Sequence, residues 1–399
     1  MSKKPTLTVQ IAIALILGVA GGLAFSQYSR FAVSYIRPFG TIYLNLIKTI
    51  VLPVVVFSVI QGVISLGDIK KVGTIGWKTV AFFLCTTAFA VTIGLVLANA
   101  FQVGRGFQMP SEELSFTPVE SPNLMDTLVN IFPANIVTPF SEGAMLQILV
   151  IAILFGFGIL MAGEKGNVAV KAVDSLASVS FRVMEMILKL SPIGVFALIL
   201  PVVAEQGAGV LIPLLQVILV AYGAYVLHIL IVYTAAVGLL GKVKPIRFLK
   251  EMGRPILFAF SSASSVGTLP FNMEAVKRLG ISKEVSGFVL PLGATINMDG
   301  TAIYQGVCVI FIARIFGVEL SLVQQLTVVL TSVLASVGTA GVPGSGMIML
   351  AMVLQSVGLP VEGIALVAGI DRILDMGRTA VNITGDAACA VCVSRLTKK

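Results

Sequence analysis

Asn297-Met298-Asp299-Gly300-Thr301 lies between Phe288-Val289-Leu290 on one side and Val307-Cys308-Val309-Ile310-Phe311 on the other. Polar residues at alternate positions inside so apolar a stretch decide the reading of the chain. Residues two apart do not share a helix face, so a straight helix would aim some of Asn297, Asp299 and Thr301 at lipid. The sequence therefore predicts an unwound turn at this point. Irregular backbone at membrane depth persists only where protein encloses it or it lines a cavity, and interrupted helices of this kind hold ions and substrates in transporters.

Working outward, the composition agrees with a bilayer setting. The 399 residues are 57% hydrophobic and only 12% charged, with a mean hydropathy of +1.01. A soluble globular core is excluded. The spacing of apolar runs predicts an all-α polytopic membrane protein with eight transmembrane helices near 9–25, 39–66, 77–102, 143–163, 183–203, 209–240, 285–316 and 362–394. Two shorter segments near 246–278 and 321–357, broken by Gly and Ser, read as re-entrant helical hairpins. No small-residue cleavage site follows the first span, which is expected to remain as a helix.

The basic residues fit this topology. Lys70, Lys71 and Lys78, then Lys165 and Lys171, then Lys242, Lys244, Arg247 and Lys250, and finally Arg395, Lys398 and Lys399 all fall on one side. That side is expected to be cytoplasmic, with both termini on it. The 103–127 loop carries Glu112, Glu113, Glu120 and Asp126 against Arg105, as an external loop should. The net charge of +8 is thus a positive-inside bias and calls for no nucleic-acid partner.

The two broken segments share a string, Ser265-Val266-Gly267-Thr268 in the first and Ser336-Val337-Gly338-Thr339 in the second. One is entered from the cytoplasmic side and the other from outside, so the repeat is inverted. Such tips present helix termini and free backbone groups together. Carbonyls suit cations and helix N-termini suit carboxylates.

In the last span Asp375, Arg378, Thr379, Asn382 and Asp386 fall on one helix face. With Asp299, Asp371 and Arg372 they bring six formal charges to membrane depth. Exposed to lipid these would cost roughly 18 kcal/mol in sum, more than the stability of a typical fold. They must be paired or solvated inside the protein. Four aspartates face two arginines, and the two surplus negatives need protons or cations. Arg378 predicts an anionic substrate group, because a guanidinium fork fits a carboxylate at two points. Asp375, one turn away, suits an ammonium group. Permanent pairing of Arg378 with Asp375 or Asp386 is the competing reading.

Together these motifs resemble the excitatory amino-acid transporter family, whose prokaryotic members include sodium-coupled aspartate transporters and proton- or sodium-coupled glutamate transporters. The resemblance rests on Asn297 to Thr301, Gly267-Thr268-Leu269-Pro270, the Ser336 to Pro343 tip and Asp375-Met376-Gly377-Arg378-Thr379. It implies a homotrimer working as an elevator, each protomer having a static scaffold and a mobile transport domain. On that pattern 1–75 and 128–205 are scaffold. Helix three with its loop (76–127), helix six (206–241) and the core of hairpins and helices seven and eight (242–399) belong to the transport domain. The implied function is sodium-coupled symport of aspartate or glutamate. Alternatives are proton coupling, or a neutral amino-acid or C4-dicarboxylate substrate.

Residue by residue, the resemblance implies that Arg378 with Thr301 binds the side-chain carboxylate and Asp375 the amino group. Asn382 and Ser265, with Val266 and neighbouring Ser264 and Thr379, would hold the main-chain carboxylate, under a gate containing Val342 and Gly346. One sodium ion would use Asp386 and Asn382 with carbonyls of Gly293 and Asn297. A second would use carbonyls of Thr295, Ser336, Val337 and Thr339. The third would combine Asp299 and Asn297 with Thr86, Thr87 and Phe83. One departure is Ala263, where archaeal aspartate transporters carry an arginine.

A channel would need rings of pore-lining charge, whereas these charges crowd one helix face. Enzyme chemistry has thin support. His228 is the only histidine, in an apolar span, and reads as a packed residue. Cys389 and Cys392 have C-x-x-C spacing without a second pair, so redox or zinc chemistry is not expected. Lys48 and Pro53, and Glu185 with Lys189, read as features of scaffold ends.

Overall fold

The computed structural model describes residues 7–65, 74–107, 129, 132–337 and 344–397, and the described secondary structure is helical throughout, without strands. Four helical stretches are long and apolar enough to cross a membrane: Ser26–Ile64, Ile75–Ala100, Leu211–Leu239 and Lys283–Ile315. A bent pair, Gly163–Leu188 with Ser191–Glu205, makes a fifth candidate. Val9–Ala24 and Gln147–Met161 are apolar but shorter. The C-terminal helix Asp371–Thr397 has 27 residues, about 40 Å at 1.5 Å per residue. Its length suffices, and its charged and polar first half keeps it out of the apolar set.

The fifth expected span differs from its sequence reading. Instead of one helix near 183–203, Asn167–Leu188 ends and Ser191–Gln206 begins at a 49° bend. Pro192 explains the break, since it has no N–H to donate to the Leu188 carbonyl and its ring crowds the preceding turn. Glu185 and Lys189 therefore sit at a corner, with Glu185 paired to Arg182 at 2.8 Å. Pro53, by contrast, lies within the continuous helix Arg37–Ser65.

Packing sorts the helices into two neighbourhoods. Leu7–Ala24 packs along Ser191–Gln206, and Arg37–Ser65 packs on Met145–Met161, Asn167–Leu188 and Ser191–Gln206. Elsewhere the C-terminal helix is the hub. It touches Thr74–Ala100, the helix from Leu211, both limbs of the first hairpin (Pro245–Ser262 and Ser265–Arg278), and both Lys283–Ile296 and Asp299–Ile315. Small residues permit the closest approach between Thr74–Ala100 and Asp299–Ile315: a Cβ on Gly94 would lie 2.6 Å from the Ile303 carbonyl, and one on Gly306 2.8 Å from that of Val91.

Three chain breaks fall inside this second neighbourhood. The first hairpin turns at Ala263, in the left-handed region at φ 51°, and Ser264, whose side chain accepts the Gly267 N–H. The long span breaks where predicted: Asn297 is extended and Met298 is non-helical, and a new helix starts at Asp299. The second hairpin descends as Leu322–Ser336 and returns as Ser345–Ser356 after Gly344 at φ 84°. The shared string is not equivalently placed in the two hairpins. Ser265 opens an ascending limb, whereas Ser336 closes a descending one.

Candidate functional site

Every charged side chain of the C-terminal helix up to Asp386, apart from part-exposed Arg372, is buried among the three chain breaks. Arg378 is 1% exposed and donates from Nε to Asp375 Oδ1 at 2.8 Å and from Nη1 to Asp371 Oδ1 at 2.9 Å. Its guanidinium also lies 4.6 Å from the ring centroid of Tyr304. Asp375 Oδ2 accepts the Gly344 N–H at 3.1 Å and lies 3.5 Å from Arg372. The N-terminus of Ser345–Ser356 thus lies at this cluster, with Gly344 donating to Asp375. Gly346 faces the guanidinium so closely that a Cβ would overlap it. In this arrangement Arg378 is charge-compensated by Asp371 and Asp375. Asp386 is not its partner.

The other two aspartates form a separate group. Asp299 is fully buried, accepting Thr87 Oγ1 on Oδ1 at 2.6 Å and Tyr233 Oη on Oδ2 at 2.7 Å. His228 Nε2 is 3.2 Å from Oδ2. Asp386, 2% exposed, accepts Asn297 Nδ2 at 2.9 Å, and the same amide donates to the Asn382 carbonyl at 2.8 Å. Among the described residues neither carboxylate has a lysine or arginine partner. Asn297 Oδ1 is buried and accepts no hydrogen bond from described residues. The surplus of two negatives counted in the sequence is therefore localised to Asp299 and Asp386. Their surroundings are neutral oxygen and nitrogen groups, and no trio of His, Cys, Asp or Glu gathers there among the described residues.

The sequence pattern of the Sodium:dicarboxylate symporter family matches residues 7–396. The chain belongs to this family. Among similar proteins, the proton/sodium-glutamate symport protein of Geobacillus stearothermophilus is 39% identical over 98% of this chain and 95% of its own length. The proton/glutamate-aspartate symporter of Escherichia coli is 36% identical over 99% of this chain and 94% of its own length. The C4-dicarboxylate transport protein of Bacillus subtilis is 33% identical, over 98% and 93%.

The remaining expected residues fall in several places around the family's charged core. Asn382 bridges by accepting the Gly300 N–H at 2.7 Å, next to Thr301, which is buried, and Thr379 is tied to the Asp375 carbonyl. Gly293 packs against the Asp386 carboxylate, with Phe83 at the same spot. Thr86 bonds its own helix at Phe83, while the adjacent Thr87 reaches Asp299. Ser265 is buried at the first tip, and Val266 is 52% exposed. Thr295 and Ser336 each donate their hydroxyl to their own helix, at Leu292 and Val333. Thr339 and Val342 lie outside the described residues. Three participants were not foreseen: Asp371 on the arginine fork, and Tyr233 and His228 on Asp299. His228 is packed, as its apolar flanks suggested, but against a carboxylate. Its solitary occurrence in the chain was the available signal.

Proposed function

We propose that the protein is a secondary active symporter that couples inward sodium movement to uptake of aspartate or glutamate across the cytoplasmic membrane. One observation carries this reading: two buried carboxylates without a lysine or arginine partner among the described residues lie in the same helical core as a buried arginine whose fork is held by two aspartates. A cation neutralises the first group, and a substrate carboxylate takes the place of an aspartate on the second. The family resemblance proposes sodium sites at Asp386 and Asn382 with carbonyls of Gly293 and Asn297, and at Asp299 with Asn297, Thr87, Thr86 and Phe83; the bonds of Asn297 to Asp386 and of Thr87 to Asp299 support them. The carbonyl site of Thr295, Ser336, Val337 and Thr339 is proposed from family resemblance alone. So are the roles of Ser264, Ser265, Val266, Thr301, Val342 and Gly346 around the substrate.

Eight spans with two re-entrant hairpins, both termini cytoplasmic, are the topology we propose, with a homotrimeric assembly. The two packing neighbourhoods support a scaffold of 1–75 and 128–205 and an elevator-like transport domain made of the rest. The test is uptake of labelled aspartate, glutamate and succinate into proteoliposomes under an imposed sodium gradient, then under a proton gradient alone. Sodium-dependent uptake of an acidic amino acid is expected, and Arg378→Lys should raise its KM by about tenfold or more. Uptake driven by protons alone would remove sodium from the mechanism. A second reading, C4-dicarboxylate transport, is favoured by the engagement of both Asp375 oxygens with Arg378, Arg372 and Gly344, which commits neither to an ammonium. Succinate uptake exceeding that of either amino acid would establish it.

A further inference from the structure

The helix from Leu211 does not run regularly to Leu239. Between Leu211–Leu227 and Thr234–Leu239 it widens into a π turn at His228–Tyr233. In an α-helix, residues five apart point about 140° away from one another. An i→i+5 turn brings them onto one face, and such turns recur at functional sites. Here the consequence is specific: His228 and Tyr233 converge on the same oxygen, Asp299 Oδ2, at 3.2 and 2.7 Å. Their rings meet edge to face, 4.6 Å between centroids.

We propose that His228 and Tyr233 are positioning residues of the Asp299 cation site, delivered there by the π turn. The inference rests on the reading of Asp299 as a cation ligand given above. With Oδ2 held from one side by two donors and Oδ1 by Thr87, the carboxylate cannot rotate, and its remaining lone pairs keep a fixed aim. Tyr233 does more than hold Asp299. Gly385 packs so tightly against the tyrosine hydroxyl that a Cβ would overlap it, and the same Cβ would lie 2.5 Å from Asn297 Nδ2. Asn297 in turn donates to Asp386. The Tyr233 hydroxyl, bonded to Asp299, and the Asn297 amide, bonded to Asp386, thus both pack against Gly385. His228 Nδ1 is buried with no hydrogen-bond partner among the described residues. A histidine kept for packing alone would not need its polar edge buried in this way. Groups that orient a metal-binding side chain through hydrogen bonds commonly set cation affinity by ten- to a hundredfold (order of magnitude).

The experiment compares wild type with Tyr233→Phe, His228→Gln, His228→Leu and Asp299→Asn in proteoliposomes, measuring the half-saturating sodium concentration and the substrate KM at saturating sodium. Tyr233→Phe keeps the ring and loses only the hydroxyl. It should raise the half-saturating sodium concentration about tenfold or more while the substrate KM at saturating sodium stays within about twofold. His228→Leu should do likewise, and His228→Gln, which retains a donor, should recover most of the loss. Should a variant lose uptake altogether, the sodium-induced rise in melting temperature of the detergent-solubilised protein supplies the same comparison. Unchanged sodium dependence in both Tyr233→Phe and His228→Leu, with Asp299→Asn shifted, would overturn the positioning role. Unchanged sodium dependence in Asp299→Asn would instead overturn the cation site on which it rests.

Discussion

At the scale of single residues, two glycines beside Arg378 separate substrate recognition from folding. A Cβ on Gly300 would overlap backbone atoms of Arg378, including its carbonyl oxygen, while one on Gly346 would overlap the guanidinium itself. Backbone at a helix crossing has nowhere to go. Gly300→Ala is therefore expected to destabilise the protein by about 1–3 kcal/mol, seen as a lower melting temperature with or without substrate. A guanidinium is the far end of a flexible side chain, and it can move if Asp371 and Asp375 release it. Gly346→Ala should leave the melting temperature of the substrate-free protein nearly unchanged and raise the substrate KM. If both variants altered stability equally, the guanidinium would be a fixed structural ion pair.

Elements are held at their ends as much as along their lengths. Arg314, in the last turn of Asp299–Ile315, donates to the carbonyls of Ala98 and Val103 at 3.1 and 3.3 Å and to Asn99 Oδ1 at 3.2 Å. It adds a second donor to the Ala98 carbonyl, which already accepts the Val103 N–H, and its charge suits this C-terminal end of the helix dipole. The two helices it joins also meet through the hydrogen bond from Thr87 on one to Asp299 on the other. Arg314→Met is expected to cost about 1–3 kcal/mol of stability while leaving the sodium dependence of uptake unaltered, because the tie lies at the far end of the pair. A thermal melt alongside the sodium titration checks both halves. The hairpins also differ as elements. At the base of the first, Arg278 joins Glu251 of one limb to Glu274 of its own at 2.6 and 2.7 Å. In the second, Gly344 at the start of Ser345–Ser356 donates to Asp375.

For the molecule as a whole, the buried charges form two groups of different electrical character. Asp371, Arg372, Asp375 and Arg378 balance, while Asp299 and Asp386 do not. Burying uncompensated carboxylates costs free energy that a bound cation returns. Asp299→Asn/Asp386→Asn is thus expected to melt at a higher temperature than wild type in cation-free buffer. It should also lose the stabilisation expected from sodium on the proposed sites, about 2.7 kcal/mol per site at a hundredfold excess over Kd. Melting curves across a sodium titration test this, and a double variant still stabilised by sodium would move the cation sites elsewhere.

Much of this architecture was legible in the chain. The apolar runs, the break at Asn297 to Thr301, the one-faced pattern from Asp375 to Asp386 and the surplus of two aspartates are properties of order and composition, set by local backbone geometry and by the cost of charge in lipid. Which aspartates carry the surplus was not legible, because pairing depends on approach between helices distant in sequence. Thr87 and Tyr233 come to Asp299 from other helices, 212 and 66 residues away in sequence. The π turn that turns His228 and Tyr233 onto Asp299 adds no recognisable letter to the sequence, since it exchanges one hydrogen-bond register for another. Order and composition determined that a membrane transporter with buried ionic chemistry was being encoded. Only the tertiary structure decided which aspartates pair with an arginine and which do not, because electrostatic energy in a low-dielectric interior is set by distances that the chain order does not contain.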